Sequence, residues 1–200
     1  MTDTAPASGS NLPQTDPDAD ILPRLARHDP AAMGLLMDRH LTSLKSMAWH
    51  MLGDEMAAED IAQETFIRAW NQAPDWQIGR ARFSTWMYRV AKNLCLDRLR
   101  KKSEVYTNEV PEISDTRPDA EEELASAQLA AGQKSLVEAA LGSLPERQRL
   151  AIVLFHYEEK SQIEAADILQ INVRAFESLL ARARGNLKTR LKGAKAQLTE

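Results

Sequence analysis

The stretch AEDIAQETFIRAW, from Ala58 to Trp70, decides the fold of this 200-residue chain. Its small and apolar side chains recur at helical spacing and form one stripe: Ile61, Thr65, Phe66, Ala69 and Trp70. Most of its charged and polar side chains lie outside that stripe: Glu59, Asp60, Gln63, Glu64 and Arg68. The pattern predicts an amphipathic helix from about Ala57 to Asn71, and its acidic face suits docking onto a basic protein partner.

A second informative stretch, FSTWMYRVAKNLCLDRLRKK, runs from Phe83 to Lys102. It predicts a long helix that packs through its apolar positions: Phe83, Met87, Val90, Leu94 and Cys95. The same segment, with Arg82 just before it, is rich in basic side chains and also carries an aromatic ring and an amide: Arg82, Tyr88, Arg89, Lys92, Asn93, Arg98, Arg100, Lys101 and Lys102. This mixture of phosphate-binding charges, base-edge donors and rings favours binding to unpaired bases. The alternative is that Trp86 and Tyr88 belong to the core and that the cations form a solvated face.

The segment upstream of these two stretches predicts a further helix. Asp29 suits an N-cap with Pro30 at the first helical position, and Gly53 is expected to end the helix. Because apolar residues recur at helical spacing in between, three long helices form one all-α domain, which we assign to residues 19–103. Residues 1–18 have almost no large apolar side chains, so we predict a disordered tail there.

Charge is distributed unevenly along the chain, although the formal net charge is only −4. Residues 80–102 carry eight basic side chains and one acidic, whereas residues 103–126 carry eight acidic and one basic. Residues 174–195 are basic again, with seven basic side chains and one acidic. The two basic segments favour nucleic-acid binding despite the net charge. The intervening residues 104–123 lack sustained periodicity, and we predict an extended acidic linker.

Residues 124–192 predict a second helical domain, followed by a short tail at residues 193–200. Pro145 is expected in the first turn of a helix that Ser143 or its neighbour caps and that continues to Tyr157. Two helical domains joined by a linker define an all-α fold.

A helix-turn-helix is predicted within the second domain, from Ser161 to Leu187. A short helix with small residues is followed by the turn Leu169–Ile171, and Asn172 then caps a long helix. Glycine often occupies the turn position at which this chain has Gln170, so a left-handed conformation there costs about 1 kcal/mol. The second helix would enter a major groove, with basic and polar residues along it: Arg174, Glu177, Ser178, Arg182, Arg184 and Lys188. Helix pairs with short turns also occur without DNA binding.

Catalysis, a cofactor and a metal site are not predicted. The four histidines, His28, His40, His50 and His156, lack metal-ligand spacing, and the sequence has no Gly-rich phosphate loop. The single cysteine, Cys95, lies in an apolar helical run, which predicts a buried side chain and fits a reducing compartment. No apolar stretch approaches the length of a membrane span, and the N-terminus lacks a signal-peptide pattern. We therefore expect a cytoplasmic protein that is not an enzyme and has no small-molecule substrate.

Over about residues 20–190, these motifs in this order resemble a bacterial RNA polymerase sigma factor of the extracytoplasmic-function (ECF) type of the sigma-70 family. Ala58–Trp70 is similar to the region 2 helix that docks on the clamp helices of the largest polymerase subunit. Phe83–Lys102 is similar to the helix that melts and reads the promoter −10 element. A third stretch runs from Leu141 to Phe155 and reads LGSLPERQRLAIVLF. Together with the helix-turn-helix that follows it, this stretch is similar to region 4, which reads the −35 element and packs on the polymerase flap.

The resemblance assigns candidate site residues. The expected core polymerase contacts are Glu59, Asp60, Gln63, Glu64 and Arg68. The expected −10 contacts are Phe83, Trp86, Tyr88, Arg89, Lys92, Asn93, Asp97, Arg98, Arg100 and Lys101. The expected −35 contacts are Asn172, Arg174, Ala175, Glu177, Ser178, Arg182 and Arg184. The loop Ala73–Arg82 would help form a pocket for a flipped base, and the acidic linker would thread through the core near the active centre and the RNA exit path.

The implied partners are core polymerase, promoter DNA in duplex and melted form, and an anti-sigma factor that holds the free protein inactive. The recognition helix departs from the usual family pattern at Glu177 and Leu179, where relatives often carry basic residues, so promoter sequence does not transfer. Two alternatives remain open at this point. One is an autonomous helix-turn-helix regulator that binds duplex DNA without polymerase, and the other is a sigma-like decoy that initiates no transcription.

Overall fold

The protein is described here by a computed structural model that covers residues 16–79, 81–108 and 136–197. Four helices form the first domain: α1 (Leu22–Leu25), α2 (Pro30–Leu52), α3 (Glu55–Gln72) and α4 (Phe83–Asn108). Four more form the second domain: α5 (residues 136–142), α6 (Glu146–Ile152), α7 (Gln162–Leu169) and α8 (Val173–Gln197). A 3₁₀ turn follows α3 at Ala73–Asp75, and a π-turn extends α6 at Val153–Tyr157. The all-α prediction is confirmed.

Local capping residues set the ends of the helices in the first domain. The Asp29 carboxylate accepts a hydrogen bond of 2.9 Å from the Ala31 amide, and Pro30 begins α2. Gly53 ends α2 with φ of 68°, in the left-handed region that glycine adopts without strain. The neighbouring Asp54 then caps α3 by accepting from the Ala57 amide at 3.0 Å. The predicted limits of α2 are thereby confirmed.

The core of the first domain lies where α2, α3 and α4 meet. Its fully buried large side chains come from all three helices and from α1: Ile21, Leu22, Leu25, Leu36, Leu44, Met47, Met51, Phe83 and Met87. Met37 and Leu41, two of the apolar residues that recur at helical spacing along α2, are instead exposed at the surface. Burial of this apolar area is the main driving force for the three-helix arrangement.

Residues 16–18, which the sequence places in the disordered tail, pack against the first domain. Asp18 is fully buried and accepts hydrogen bonds from His40 Nε2 at 2.8 Å and from Arg39 Nη1 at 3.3 Å. The Asp16 carboxylate accepts from the Phe83 amide at 2.8 Å and so caps α4. Low apolar content does not exclude order here, because the two carboxylates hold the segment through polar contacts. Residues 1–15 lie outside the described part of the chain.

The predicted linker begins inside a helix, because α4 continues to Asn108. Residues 104–108 are therefore helical, and the rest of the predicted linker, residues 109–123, lies outside the described residues. Residues 124–135, which begin the predicted second domain, also lie outside the described residues.

The expected cap of α6 by Ser143 is wrong. The Ser143 hydroxyl donates to the Ala140 carbonyl at 2.8 Å, within the last turn of α5, and is therefore not directed at α6. Pro145 is the N-cap residue of α6 and makes no side-chain capping hydrogen bond.

The helix-turn-helix is present at the predicted residues. Ser161 and Glu164 form a reciprocal capping box at the start of α7, and the Asn172 side chain accepts from the Ala175 amide at 2.7 Å at the start of α8. Between the helices Gln170 has φ of 57° and ψ of 44°, the left-handed conformation expected for this turn. Ala165 and Ala166 are buried, which lets α8 cross α7 closely. The larger core side chains of this motif are Ile168, Leu169, Phe176 and Leu180.

The two domains pack directly on each other. Helix α7 of the second domain lies against α4, and the π-turn Val153–Tyr157 lies against α2. The Arg149 guanidinium crosses this boundary and donates to the Met51 carbonyl at 2.6 Å. The rings of His50 and Tyr157 meet edge-on across it, with 3.7 Å between centroids. The helix-turn-helix domain therefore lies over part of the first domain.

Candidate nucleic-acid interface

An aromatic cluster anchors the start of α4. Phe83 and Trp86 stack with 5.4 Å between ring centroids, and Trp76 from the preceding loop meets Phe83 edge-on at 4.9 Å. Phe83 is fully buried and Trp86 is half-buried. Phe83 is thus a core residue that supports Trp86 and contacts no DNA in this conformation. Trp76 lies in the loop Ala73–Arg82 that is expected to help form a base pocket, but a lone tryptophan in a loop carries no periodic signal that would single it out.

Three expected −10 residues, Tyr88, Arg89 and Lys92, lie on the side of α4 that faces the second domain, and we call them the −10 face. Tyr88 is 1% exposed and Lys92 is 7% exposed. The Tyr88 hydroxyl donates to a Glu158 carboxylate oxygen at 3.1 Å, and Arg89 Nε donates to the Asp167 carbonyl at 2.9 Å. The second domain therefore covers residues that were expected to contact DNA.

Burial shifts the pKa values of several groups at this covered face. Burial and the nearby Glu158 carboxylate raise the pKa of the Tyr88 phenol far above its ordinary value. Burial also raises the pKa of the Glu158 carboxyl. The pKa of the Lys92 ammonium is lowered by burial and by the positive charges of Arg89 and Arg147. The face therefore combines a concentration of positive charge with little access to water, which increases the strength of electrostatic interactions there.

The rest of the expected −10 set is exposed further along α4. Its members are Asn93, Asp97, Arg98, Arg100 and Lys101. Two of the cations form ion pairs: Arg98 with Asp60 of α3 at 3.2 Å, and Arg100 with Asp97 at 3.0 Å. Exposed pairs of this kind contribute little to stability, so a phosphate can displace the carboxylates at small cost. This half of α4 can contact DNA without any domain movement.

The acidic face of α3 is exposed, as the sequence predicts. Of the expected polymerase contacts, Glu59, Asp60, Gln63 and Arg68 are exposed and Glu64 is half-buried. Arg68 pairs with Glu64 at 2.8 Å, and Glu59 pairs with Lys45 of α2 at 2.7 Å. The described face thus carries carboxylates together with cations that moderate their charge.

Two apolar residues on the same face of α3 were missed from the sequence. Met56 is 78% exposed and Ile67 is 56% exposed, and they flank Asp60 and Gln63 at spacings of three to four residues. The signal was available, because both are large apolar residues outside the buried stripe. An exposed apolar pair among polar residues is typical of a protein-binding surface.

The expected −35 residues lie together at the start and along the first half of α8. Arg174, Glu177, Ser178 and Arg182 are exposed along the first half of α8, Asn172 caps the helix, and Ala175 is half-buried. Arg182 Nε donates to the Ser178 carbonyl at 3.2 Å. These exposed side chains are available to a DNA groove.

Arg184 is engaged within the second domain. Its Nε donates to His156 Nε2 at 3.2 Å, and its guanidinium lies 5.1 Å from the centroid of the Phe155 ring. The pKa of His156 is lowered by burial and by the charge of Arg184, which keeps the imidazole neutral and able to accept this hydrogen bond. Arg184 therefore helps hold α8 against the π-turn.

Among the residues that the structure describes, no group of histidine, cysteine and carboxylate side chains could hold a metal ion. Within the same ranges, no helix is long and apolar enough to cross a membrane.

The architecture defines a two-domain helical protein with a helix-turn-helix, and comparisons with known proteins identify its class. Residues 36–105 match the family model of sigma-70 region 2, and residues 134–187 match that of sigma-70 region 4. The ECF RNA polymerase sigma factor SigW of Bacillus subtilis is 32% identical over 180 residues, which cover 84% of this chain and 94% of SigW. The sigma factor NccH of Alcaligenes xylosoxydans is 31% identical over 189 residues, covering 90% of this chain and 98% of NccH. The chain belongs to the ECF RNA polymerase sigma factors of the sigma-70 family.

Solved structures give the same result for the fold. The chain is similar to CnrH in its complex with the cytosolic domain of CnrY, with a TM-score of 0.67, 28% identity and coverage of 89% of this chain and 99% of CnrH. It also shares the fold of the sigma factor RpoE from Bartonella quintana, solved with the anti-sigma factor NepR, with a TM-score of 0.62 and 23% identity over 80% of this chain and 96% of RpoE.

Proposed function

We propose that this sigma factor binds core RNA polymerase through α3, reads the −35 element with α8 and the −10 element with α4, promotes strand opening, and is controlled by an anti-sigma factor. The observation that carries the proposal is the placement of exposed acidic and apolar residues on α3 in one family domain, and of exposed recognition residues on α8 in the other. These two surfaces suit a polymerase partner and a duplex, respectively.

Core binding rests on the α3 face. Met56 and Ile67 supply apolar area that a partner can bury, and Asp60 with Gln63 lies between them. Carboxylates at such a site complement a basic partner surface and steer its approach. The proposed polymerase contacts are therefore the expected acidic residues with these two apolar residues added.

Promoter reading rests on two helices. On α8, Arg174 and Arg182 suit phosphate or base contacts, and Glu177 suits a cytosine amino group. On α4, the exposed cations suit phosphates, and Trp86 with Tyr88 suits stacking on unpaired bases once the −10 face is uncovered. Phe83 is not proposed as a contact, because it is buried within its own domain.

Control by an anti-sigma factor is supported by the likeness to CnrH. CnrH was solved with the cytosolic domain of CnrY, and RpoE was solved with NepR, which is named as an anti-sigma factor. Only the CnrH likeness, at 28% identity, goes beyond a likeness of fold.

The test is multi-round transcription with purified core polymerase on a bacterial promoter library, with and without the protein. New start sites that share upstream −35 and −10 sequences are the expected result. Ile67→Asp is expected to abolish these starts, because it places a charge in the proposed apolar contact. Leu35→Asp is the matched control, since Leu35 is also an exposed apolar residue but lies on α2.

Other outcomes favour the two alternatives. A protein that binds core polymerase and gives no starts is a decoy. A protein that binds duplex DNA specifically and never binds core polymerase is an autonomous regulator. Equal transcription by Ile67→Asp and the wild type would overturn the proposed polymerase face while leaving sigma activity intact.

A further inference from the structure

We propose that a cavity between α2 and α5 binds a planar heteroaromatic small molecule that carries an amino group, the class to which aminopurine bases and nucleosides belong. The cavity has a volume of about 470 Å³ and is partly open to solvent. Ligand-binding cavities in proteins span about 300–1,000 Å³. The described lining of this cavity includes none of the residues assigned to polymerase or promoter. The proposal therefore goes beyond the proposed function and does not depend on sigma activity.

Three adjoining aromatic rings line this cavity. The rings of Trp49 and His50, at the end of α2, have 4.7 Å between their centroids, and the Tyr157 ring of the second domain meets His50 edge-on. Val137 and Leu141 of α5 add apolar lining. A cavity with several rings favours a planar aromatic ligand, because ring pairs are stabilised beyond the burial of apolar area alone.

Arg149 places a fixed planar cation at the same cavity. Its Nη1 donates to the Met51 carbonyl at 2.6 Å, and its Nη2 donates to the Gly142 carbonyl. Because these terminal donors are committed to the backbone, a ligand would contact the face of the guanidinium and not its edge. Guanidinium faces stack on aromatic rings, so Arg149 also favours a planar ligand.

Glu138 gives the cavity a hydrogen-bonding preference. Its half-buried side chain belongs to the lining. Burial and the charge of Glu138 raise the pKa of the Tyr157 phenol, so the carboxylate lies close to the aromatic lining. A carboxylate only accepts hydrogen bonds, and an amino group on a base is a donor that it accepts from. The rings and this acceptor together select a planar ring that carries an amino group.

The lining comes from both family domains. Trp49 and His50 belong to the first domain, whereas Glu138, Arg149 and Tyr157 belong to the second. A compound in the cavity contacts both domains at once, and it binds most tightly while they are packed together.

Titration of 2-aminopurine riboside into the full chain tests the proposal, because the fluorescence of this base falls when it stacks on a ring. Saturable quenching is expected, with one site per chain and a Kd below about 1 mM. Guanosine, which also carries an amino group on its purine ring, should compete. Quenching that does not saturate would show collisional contact only and would overturn the proposal.

Gly142→Phe tests the location of the site. Gly142 lines the cavity, and an added Cβ there meets no other atom within 4 Å, so the new ring has room to occupy the ligand space. Binding of the riboside should weaken at least about tenfold. Gly34→Phe on α2 is the matched control, because an added Cβ there also meets no other atom and Gly34 lies outside the described lining. Full binding by Gly142→Phe with loss of binding in Trp86→Ala would place the base at α4 and overturn the proposal.

Glu138→Leu tests the preference for an amino group. Purine riboside, which lacks that group, should bind the wild type about tenfold more weakly than 2-aminopurine riboside, measured by competition. The two compounds should bind Glu138→Leu equally, because the acceptor is gone. Glu146→Leu is the control at an exposed acidic residue of α6 and should keep the difference. An unchanged difference in Glu138→Leu would contradict the assigned class of ligand.

Protection of Tyr157 from nitration by tetranitromethane gives a readout that needs no variant. Tyr157 lines the cavity and is 41% exposed, so the reagent can reach it in the free protein. Saturating guanosine should slow its nitration at least about fivefold, because the reagent then reaches only the unoccupied fraction. N-acetyltyrosinamide in the same solution is the reference for consumption of the reagent. Equal nitration of Tyr157 with and without guanosine would overturn the proposal.

Discussion

Tyr88 on α4 and Glu158 at the end of the π-turn form a hydrogen bond that joins the two domains, with 3.1 Å between the phenol oxygen and the carboxylate. A hydrogen bond to a carboxylate contributes about 1.5–3 kcal/mol when both partners are removed from water. A double-mutant cycle with Tyr88→Phe and Glu158→Ala should therefore give a coupling of about 1 kcal/mol or more in urea unfolding. Additive effects of the two substitutions would show that the contact is not made in solution.

The buried carboxylate of Asp18 is expected to anchor the start of the chain. It receives hydrogen bonds from His40 and Arg39 and has no exposed surface. Asp18→Asn should lower the free energy of unfolding by about 1–3 kcal/mol, because it removes a buried charge from its two donors. Asp20→Asn is the control, since Asp20 pairs with the same Arg39 but its side chain is 62% exposed, so it should destabilise the protein less than Asp18→Asn does. Equal losses in the two variants would contradict the anchor.

Gln170 occupies a left-handed turn conformation that favours glycine. Gln170→Gly should raise the free energy of unfolding by about 0.5–1 kcal/mol, because relief of the Cβ strain exceeds the entropy that glycine adds to the unfolded chain. Gly53→Ala makes the opposite change at φ of 68°, where an added Cβ meets no other atom within 4 Å, so only backbone strain destabilises it. The two variants should shift the urea midpoint in opposite directions, and a shift in the same direction would contradict this explanation.

The Cys95 thiol should be inert in the native protein. Its side chain is fully buried, and burial raises its pKa to about 12. At pH 8 the thiolate fraction is then about one in ten thousand, compared with about one in four for an exposed cysteine. Iodoacetamide should label Cys95 only as the protein unfolds, with the urea-unfolded chain as the reference. Rapid labelling at pH 8 without denaturant would show that α4 opens locally.

Local sequence signals predicted the helices because capping and turn chemistry act over a few residues. Asn172 and Gln170 adopt the roles that their neighbours in the sequence predict, and Gly53 ends α2 as expected. Asp18 could not be placed in this way, because its partners lie more than twenty residues away. Its burial depends on tertiary contacts that a pattern of apolar residues does not encode.

In the candidate site, too, features set by the local sequence could be predicted and features set by tertiary contacts could not. The exposed faces of α3 and α8 could be predicted, since residues outside a buried stripe face solvent. The burial of Tyr88 could not, because it depends on a second domain that begins nearly fifty residues further along the described chain. The contact of Arg184 with His156 on the π-turn could not be predicted for a related reason: it is set by the packing of α8 and not by the position of Arg184 along that helix.

Glu177 is expected to read one base of the −35 element. It is exposed on the first half of α8, and its carboxylate can accept from a cytosine amino group in the major groove. Glu177→Gln should relax selectivity at one base pair by about 1–3 kcal/mol, measured by competition among −35 variants for the polymerase holoenzyme at fixed salt. Arg182→Ala is the contrasting variant: as a phosphate contact it should weaken all sequences alike and reduce the salt dependence of binding. Uniform weakening by Glu177→Gln would instead assign Glu177 a positioning role, because removal of a base-reading group changes the preference among sequences and not only the affinity.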